Sequence, residues 1–361
     1  MNTGFCFLLL PPATDMTCAA SMLLAPFSTI YSVAIKTRNS LYEHGFFKPV
    51  KLDAIVISVG NITAGGTGKT PLVEYVARIA AGSRRKVCIL TRGYGRLDPS
   101  RRVLVSDGHE VLANEGEAGD EPLLLAEKLC GVAAVISDSD RTAAARWAIE
   151  NLKSDTFVLD DGFQHLQLAR NLNIVAVDAT NPWDNGLLLP GGLLREPKKG
   201  IARADCVVIT RADQATDTEL LLHELETLID ARPTYVSRMR FTKLRQVNGA
   251  ADADADKVRQ IPAAAFSGIG NQSSFAYQLQ RERFKIVSVS KYGDHHRYSQ
   301  ADLDGIVAKA KAAGAQCLIT TAKDAVKLSA LSIELPCYVL EIEIEIDQRN
   351  EFEKLILASI N

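Results

Sequence analysis

A glycine-rich segment that ends in a lysine and a threonine is the strongest chemical signal in this sequence. It reads Gly60-Asn-Ile-Thr-Ala-Gly-Gly-Thr-Gly-Lys-Thr70 and follows an apolar run, 54–59. Glycines let successive backbone N–H groups curl around an oxyanion, and a helix N-terminus adds the positive end of its dipole. The lysine can reach the β- and γ-phosphates of a nucleotide, and the threonine hydroxyl can bind Mg²⁺. The segment therefore predicts a phosphate-binding loop rather than a flexible turn.

The predicted nucleotide-binding residues are those of the loop: Thr63, Ala64, Gly65, Gly66, Thr67, Gly68, Lys69 and Thr70. The strict pattern G-x-x-x-x-G-K-[ST] would place glycine at position 63, where this chain has Thr63. Pro71 then begins a helical pattern, as the fold of such a loop requires. Lys69 is also a predicted catalytic residue, because it would contact the phosphoryl group in transfer.

A second motif predicts a metal site. Residues 156–165 read Thr-Phe-Val-Leu-Asp-Asp-Gly-Phe-Gln-His, an apolar strand that ends in two carboxylates. After a phosphate-binding loop, this is the Walker B arrangement, in which an aspartate holds Mg²⁺ directly or through water. We therefore expect Thr70, Asp160 and Asp161 to bind the metal. The alternative is a common Asp-Asp-Gly turn.

Three further segments offer charged groups near the same end of the predicted strands. Gly119-Asp-Glu-Pro122 precedes a helix, so Asp120 is either a general base or a helix N-cap. Arg92-Gly-Tyr-Gly-Arg96 follows a strand, and the loop 189–197 presents Arg195 and Glu196. These loop charges either contact a ligand or are solvated.

Two segments of the second half of the chain are also candidates for the site. Tyr292-Gly-Asp-His-His-Arg-Tyr298 is polar and aromatic, and adjacent histidines point in different directions. We therefore expect one histidine to face a cleft, and we do not expect a two-histidine metal site. The segment 320–324, Thr-Thr-Ala-Lys-Asp, ends a strand and would approach the nucleotide from this half.

The order of apolar runs and helical patterns predicts the fold class. Strand-like runs lie at 54–59, 87–91, 133–137, 156–160, 173–178 and 205–210, and helical patterns at 71–81, 121–130 and 139–151. This alternation predicts an α/β, P-loop NTPase-like, mostly parallel sheet with helices on both faces. Such sheets bind ligands at the carboxyl ends of their strands, and the motifs above all follow strands.

We expect three regions: an apolar N-terminal segment, 1–35; a P-loop kinase domain, 36–237; and a smaller C-terminal α/β domain, 238–361. The strands predicted at 235–241 and 339–346 would pair as a hinge. Glu341, Glu343 and Glu345 alternate with apolar residues, so we expect them on one solvated face. The acidic Ala-Asp stretch, 249–256, is predicted to be a mobile insertion.

The N-terminal segment predicts an interaction with a membrane surface. Residues 16–35 carry no charge, and Lys36, Arg38, Lys48 and Lys51 follow. Pro26 and several Ser and Thr residues weaken the case for a spanning helix. A helix in the membrane interface fits this pattern, and a core-facing helix is the alternative. The first 15 or so residues would be an extension that precedes the true translation start.

Composition excludes some classes of protein. The 361 residues have a net charge of −2, which gives no polycationic field for nucleic acid. The seven cysteines form no C-x-x-C pair, and several lie within apolar strands, as expected of free thiols in a reducing compartment.

In combination, the motifs resemble those of the tetraacyldisaccharide 4′-kinases, the lipid A 4′-kinases of Gram-negative bacteria. The similar segments cover nearly the whole chain from about residue 22: 60–71, 92–95, 119–122, 160–165, 189–197, 294–296 and 321–324. Thr63 also fits the loop of this family. The set of motifs is far more specific than the phosphate-binding loop alone.

The resemblance implies ATP and Mg²⁺ as cofactors. It implies transfer of the γ-phosphoryl group to the 4′-hydroxyl of a tetraacyl glucosamine disaccharide 1-phosphate, giving lipid IVA at the cytoplasmic face of the inner membrane. Asp120 would act with a histidine as the base, and His295 is preferred over His296. The resemblance implies that Gln164, Arg195 and Glu196 contact the nucleotide or the substrate. We expect Arg92 to make such a contact as well.

Two other functions remain open at this stage. A P-loop GTPase or assembly ATPase is suggested by Val207-Val-Ile-Thr-Arg-Ala-Asp213, which is similar to the [NT]-K-x-D guanine-binding segment except that Arg211 replaces lysine. A kinase for a soluble sugar is the third class, and the uncharged N-terminal segment argues against it.

Overall fold

The computed structural model describes residues 14–247 and 252–360, with side chains described from residue 26 onward. The predicted N-terminal extension therefore lies outside the described residues, except for its last two positions. Those two begin helix α1, Thr14–Glu43, which contains Pro26.

The first part of the chain forms a mostly parallel sheet. Its strands are β1 (Ile55–Gly60), β2 (Val87–Thr91), β3 (Val103–Ser106), β4 (Ala133–Ser137), β5 (Thr156–Asp160), β6 (Leu172–Asp178), β7 (Cys206–Thr210) and β8 (Thr234–Gln246). Their spatial order is β8-β7-β6-β1-β5-β2-β4-β3, and only β3 runs antiparallel to its neighbour here. The central strands are buried along their length, because they are apolar runs with helices on both faces.

Helices connect these strands. They are α2 (Lys69–Gly82), α3 (Glu115–Ala118), α4 (Asp120–Lys128), α5 (Arg141–Leu152) and α6 (Thr218–Ile229), with 3₁₀ turns at Lys198–Arg203 and Ala212–Gln214. The loops after β1, β2, β5 and β7 lie at one edge of the sheet, where the sequence places its charged and glycine-rich motifs.

The second part continues the same sheet. Its elements are β9 (Asp252–Ala253), α7 (Ala255–Gln260), β10 (Pro262–Ser267), α8 (Gln272–Arg281), β11 (Lys285–Lys291), α9 (Gln300–Ala312), β12 (Cys317–Thr321), α10 (Ala322–Ala325), β13 (Cys337–Ile346) and α11 (Arg349–Ile360). The order β11-β10-β12-β13 leads to β8, and β13 is antiparallel to β8. The predicted fold class is confirmed, and the two strands predicted as partners are paired.

Strand β8 belongs to both parts of the sheet. Residues 234–236 pair with β7, and residues 237–246 pair with β13. The boundary expected at 237/238 thus falls within this strand. Helix α11 returns to the first part, where Phe352 packs against Tyr75 and Tyr235 in the core below α2.

Two expectations about surface segments were wrong in part. Glu341 is buried, because this end of the strand lies beside α4: its carboxylate is 3.0 Å from Lys128 and 3.1 Å from Arg245. Glu343 and Glu345 are exposed as expected. In the Ala-Asp stretch, residues 249–251 lie outside the described residues. The remainder is ordered: it forms β9 beside β8, and Asp254 caps α7.

Candidate functional site

The glycine-rich loop joins the carboxyl end of β1 to the N-terminus of α2. The Asn61 side chain donates to the Thr67 hydroxyl at 2.9 Å, and Thr210 donates to the Thr67 carbonyl at 2.8 Å, so the loop is held from two sides. Gly68 has a φ of 76°, and a Cβ there would lie 2.8 Å from Met239 Cε. A side chain would therefore strain the backbone at this turn, and helix α2 begins directly after it with its N-terminus toward the cavity.

Asp161, which follows β5, joins three basic side chains around the loop. Its carboxylate lies 3.4 Å from Lys69 Nζ and 2.6 Å from Arg195 Nη1, and Arg141 donates to its carbonyl oxygen. Burial alone would raise the pKa of Asp161, but Lys69 and Arg195 outweigh it and hold the pKa well below its usual value. Asp161 is thus ionised at neutral pH and orients the cations that would face a nucleotide.

Asp160, the last residue of β5, has the opposite environment. It is buried, and it forms no ion pair within the part of the chain that the structure describes. Burial, together with the nearby Glu121 and Asp161 carboxylates, raises its pKa. A buried carboxylate without an ion-pair partner is well suited to bind a metal ion. The Thr70 hydroxyl and the carboxylates of Asp160 and Asp161 line the same cavity and provide the hard oxygen donors that Mg²⁺ prefers.

Among the described residues, no cluster of three or more His, Cys, Asp or Glu side chains is arranged to hold a metal ion by itself. In kinases, Mg²⁺ is usually bound by one or two carboxylates together with phosphate oxygens and water, and Asp160 and Asp161 supply two carboxylates here. The donor set therefore fits Mg²⁺ that arrives with a nucleotide.

Gln164 and Glu196 link the loop to helix α1. Gln164 donates to the Asn61 carbonyl and to Glu196, both at 2.8 Å. Glu196 is fully buried and also receives hydrogen bonds from Arg203, at 2.7 Å, and Asn39, at 3.3 Å. Glu196 does not line the cavity, so this geometry does not support the predicted direct contact. Gln164 does line it.

Asp120 and His295 meet across the cleft between the two parts of the sheet. His295 Nδ1 lies 2.9 Å from both carboxylate oxygens of Asp120. Gly119, not Asp120, holds the N-cap position of α4, so the alternative of a capping aspartate does not apply. A Cβ on Gly119 would lie 2.6 Å from the Tyr94 carbonyl oxygen, which explains the glycine before Asp120. His295 also contacts the Tyr94 ring, with 5.0 Å between centroids.

The histidine doublet is resolved by packing. His296 stacks on Tyr292 at 4.5 Å between ring centroids and lies 3.3 Å from Asp302, away from Asp120. His295 has a positive φ of 59°, which turns its ring toward the first part of the sheet. The structure thus places His295, and not its neighbour, in the cleft.

A cavity of about 1170 Å³ lies between the phosphate-binding loop and His295. It is lined from the first part by the loop residues 64–70 and by Arg92, Asp160, Asp161, Gln164 and Arg195, and from the second part by Asn271, Asp294, His295 and Lys323. Lys323 had no expected role, although the segment 320–324 that carries it was a candidate for the site. The signal was present as a lysine directly after a strand of the second part.

Helix α1 closes one side of the cavity. Ser28 accepts from Gly191 N at 2.9 Å, and Tyr31 donates to the Arg195 carbonyl at 3.0 Å. The other face exposes Phe27, Ile30 and Val33, each about 60% accessible or more. Within the described residues, the search for a helix of sufficient length and apolar character to cross a membrane finds no candidate. Over its described side chains, from residue 26 onward, the helix is mostly exposed or half-buried.

Known proteins are similar to this chain in sequence and in fold. Residues 20–361 match the family described as Tetraacyldisaccharide-1-P 4'-kinase. A tetraacyldisaccharide 4′-kinase of Syntrophus aciditrophicus is 38% identical over 346 residues, which cover 93% of this chain and 92% of that protein. A Geobacter metallireducens protein of the same name is 40% identical over 306 residues, with 85% and 88% coverage.

The chain belongs to the tetraacyldisaccharide-1-P 4′-kinase family. The solved structure of LpxK from Aquifex aeolicus in complex with ATP is similar throughout: its TM-score is 0.75 at 32% identity, and the match covers 95% of this chain and 100% of that chain. The resemblance inferred from the motifs is thus confirmed.

The guanine-binding alternative has little support in this family member. Asp213, the residue that would accept from guanine, does not line the cavity. Its carboxylate lies 2.5 Å from Arg281 of α8, and Tyr277 donates to its carbonyl. Arg211, at the lysine position, forms an ion pair with Asp178. Both residues that would bind guanine are therefore engaged with the protein.

Proposed function

We propose that this protein transfers the γ-phosphoryl group of ATP to the 4′-hydroxyl of a tetraacyl glucosamine disaccharide 1-phosphate, giving lipid IVA in lipid A biosynthesis. The observation that carries the proposal is that one cavity of this family member is lined by both the phosphate-binding loop and His295, whose Nδ1 lies 2.9 Å from the buried Asp120. The loop binds the donor, and the pair provides a proton acceptor for an alcohol.

The donor side is built from the loop and the residues after β5. Backbone N–H groups of residues 64–70 and the N-terminus of α2 bind the phosphates, and Lys69 reaches the transferred group. Thr70, Asp160 and Asp161 would hold Mg²⁺, which neutralises phosphate charge and orients the γ-phosphoryl group when bound. Arg195 and Arg92 line the same cavity and add positive charge where it develops in the transition state.

The acceptor side is built from Asp120 and His295. Asp120 is buried, which by itself would raise its pKa, but His295 and Lys323 outweigh burial and lower it. Asp120 is therefore an ionised carboxylate at neutral pH. It takes the proton of the 4′-hydroxyl while the new O–P bond forms and the bond to the β-phosphate oxygen breaks. His295 donates to the carboxylate and fixes its orientation.

Helix α1 provides the proposed contact with the membrane that contains the acceptor. The exposed apolar stripe Phe27, Ile30 and Val33 lies beside exposed Lys36. Two further exposed aromatic residues, Phe46 and Phe47, follow the helix. Apolar side chains next to basic ones favour an anionic lipid surface. Since the donor is ATP, the surface in question is the cytoplasmic face of the inner membrane.

The test is a phosphoryl-transfer assay with detergent-dispersed lipid disaccharide and radiolabelled nucleotide. We expect label from ATP on the 4′ position, little transfer from GTP, and no transfer to a soluble disaccharide without acyl chains. GTP hydrolysis without acceptor would support the GTPase alternative, and efficient use of the soluble sugar would show that the acyl chains are not recognised.

A further inference from the structure

Lys323 occupies the centre of a charged cluster at the mouth of the cleft. Its Nζ lies 3.0 Å from Glu121, 3.2 Å from Asp294 and 3.3 Å from Nε2 of His295. Asp120 lies 4.0 Å away. The lysine comes from the second part of the sheet, and Glu121 comes from α4 of the first, so this ammonium group joins the two sides of the cleft.

The short sequence around Lys323 explains why its side chain points into the cleft. Thr321 caps α10, and its hydroxyl donates to Asp324 at 2.8 Å. Asp324 is fully buried, accepts from Gly268 N at 3.0 Å and pairs with Lys327 at 2.8 Å. The turn is thus fixed to its own core on both sides of Lys323, which leaves that side chain directed toward His295.

Hydrogen-bond chemistry then sets the state of the imidazole ring. An ammonium group only donates, so a ring nitrogen that faces Lys323 must accept through its lone pair. The neutral ring carries one proton, which then lies on Nδ1 and points to Asp120. We propose that Lys323 is a positioning residue for the proton-accepting pair: its contact with Nε2 keeps the ring proton of His295 on Nδ1, directed to the carboxylate. This inference rests on the proposed kinase function.

The charges around the pair support this assignment. Hydrogen bonding to Asp120 raises the pKa of His295, while burial and Lys323 lower it, so the lysine opposes full protonation of the ring. Glu121, Asp120 and Asp294 raise the pKa of Lys323 despite its burial, so it stays an ammonium group. The charged and titratable groups that face the pair, from all elements packed against it, are Asp294, Lys323, Lys327, Glu121 and Tyr94.

The test replaces the ammonium group in the full-length chain. In Lys323→Met, loss of a nearby positive charge raises the pKa of both His295 and Asp120, so the acidic limb of the kcat–pH profile moves up by about one pH unit. The turnover at pH 7 falls by about tenfold or more. Lys323→Arg keeps the charge and is expected to keep the limb near its wild-type position. Lys311→Met, which removes an exposed lysine of α9, is the matched control and should leave the profile unchanged.

A second measurement does not depend on catalysis. The imidazole resonances of His295, assigned with a His295→Gln variant, are titrated by long-range ¹H–¹⁵N NMR without substrate. We expect a higher titration midpoint in Lys323→Met than in the wild type. If the methionine variant does not fold, Lys323→Gln carries the same two measurements.

The outcomes separate the inference from the proposed function. An unchanged acidic limb together with an unchanged His295 midpoint overturns the role of Lys323. A raised KM for ATP with kcat and limb unchanged overturns it as well, and makes Lys323 a phosphate ligand. If the chain does not phosphorylate the lipid acceptor at all, the NMR midpoint still reports whether Lys323 controls the ring.

Discussion

Asp120 and His295 are 175 positions apart in the chain, and their side chains are 2.9 Å apart in the cleft. Asp120 begins a helix of the first part of the sheet, and His295 lies in a loop of the second. The pair therefore exists only while the two parts are held together. A protein that assembles its proton acceptor in this way can couple closure of the cleft to the chemical step.

We expect Asp120→Asn and His295→Ala to lower kcat by about 10²–10⁴, because each removes the acceptor or its orienting partner. The double variant should lose little more than the worse single one, since the two residues act as a unit. ATP affinity, measured by calorimetry, should remain near the wild-type value.

His296→Ala is the control for this series, because His296 packs on Tyr292 and not on Asp120. Its kcat should stay close to that of the wild type. Loss of ATP binding in Asp120→Asn, with turnover per bound ATP intact, would instead identify Asp120 as a structural or metal-binding residue.

Lys69→Ala should reduce phosphoryl transfer by about 10³-fold or more, because Lys69 would stabilise charge on the transferred group. It should also free one oxygen of Asp161, which now lies 3.4 Å from Lys69. Steady-state rates with saturating ATP measure the effect, and the exposed Lys86→Ala provides the control. Wild-type rates in Lys69→Ala would show that this loop does not bind the reacting phosphate.

If helix α1 contacts the membrane, substitutions on its exposed face should weaken membrane binding and leave the active site intact. Replacing Phe27 and Ile30 by serine should lower binding to anionic vesicles by about tenfold or more, since each side chain loses apolar contact with lipid. The apparent KM for the lipid should rise, and that for ATP should not change. Leu220→Ser is matched in exposure, at 69% against 68% for Ile30, and lies on α6.

These point substitutions are sharper than a deletion of residues 1–35, because Tyr31 of that segment donates to Arg195 in the cavity wall. Vesicle sedimentation at two salt concentrations is the measurement, and attachment should weaken with added salt. Equal vesicle binding by the double variant and the Leu220→Ser control would refute the proposed surface.

His165 predicts a dependence of stability on pH. Its Nε2 is buried and has no hydrogen-bond partner among the described residues, and burial together with Arg141 and Arg170 lowers its pKa to about 4. Between the ordinary value near 6.5 and 4, the unfolded chain binds a proton that the folded chain does not. The contribution of His165 to the free energy of unfolding is therefore fully present above about pH 6.5, and it is lost as the pH falls toward 4.

When the pH is lowered from 7 to 5, the free energy of unfolding should fall by about 1–2 kcal/mol less in His165→Gln than in the wild type. Urea unfolding of both proteins at the two pH values measures the difference. Parallel losses in both proteins would mean that His165 is protonated in the folded state at pH 5.

Local patterns were enough to predict much of the fold and of the donor side of the site. The loop at 60–70 carries its own backbone requirements, and Asp160–Asp161 follow an apolar strand, so their placement beside Lys69 follows from parallel strand order alone. The residues of the acceptor side were harder to predict from the sequence. Nothing local distinguishes His295 from His296, and packing of His296 on Tyr292 decides between them.

Other features depend on contacts between distant segments. The local turn directs Lys323 into the cleft, but its partner Glu121 is 202 positions away, so the sequence does not show their contact. Glu341 was expected on a solvated face, because strand alternation does not show that Lys128 of the distant helix α4 lies against this end of the strand. Glu196 was carried over as a ligand contact, yet Gln164 and Arg203 bury it as a link between loop and helix.

Strand β8 has a mechanical consequence. Because one uninterrupted strand pairs with β7 at its start and with β13 beyond it, no flexible loop at this junction separates the two sides of the cleft. Relative rotation at this point must be absorbed as torsion of the β8–β13 ribbon, and two-stranded ribbons tolerate a wide range of twist. His295 and Lys323 lie on the same side of that ribbon, so a single torsional movement would carry both away from α4. His295 and Lys323 would then gain or lose their contacts with Asp120 and Glu121 in one step rather than in sequence.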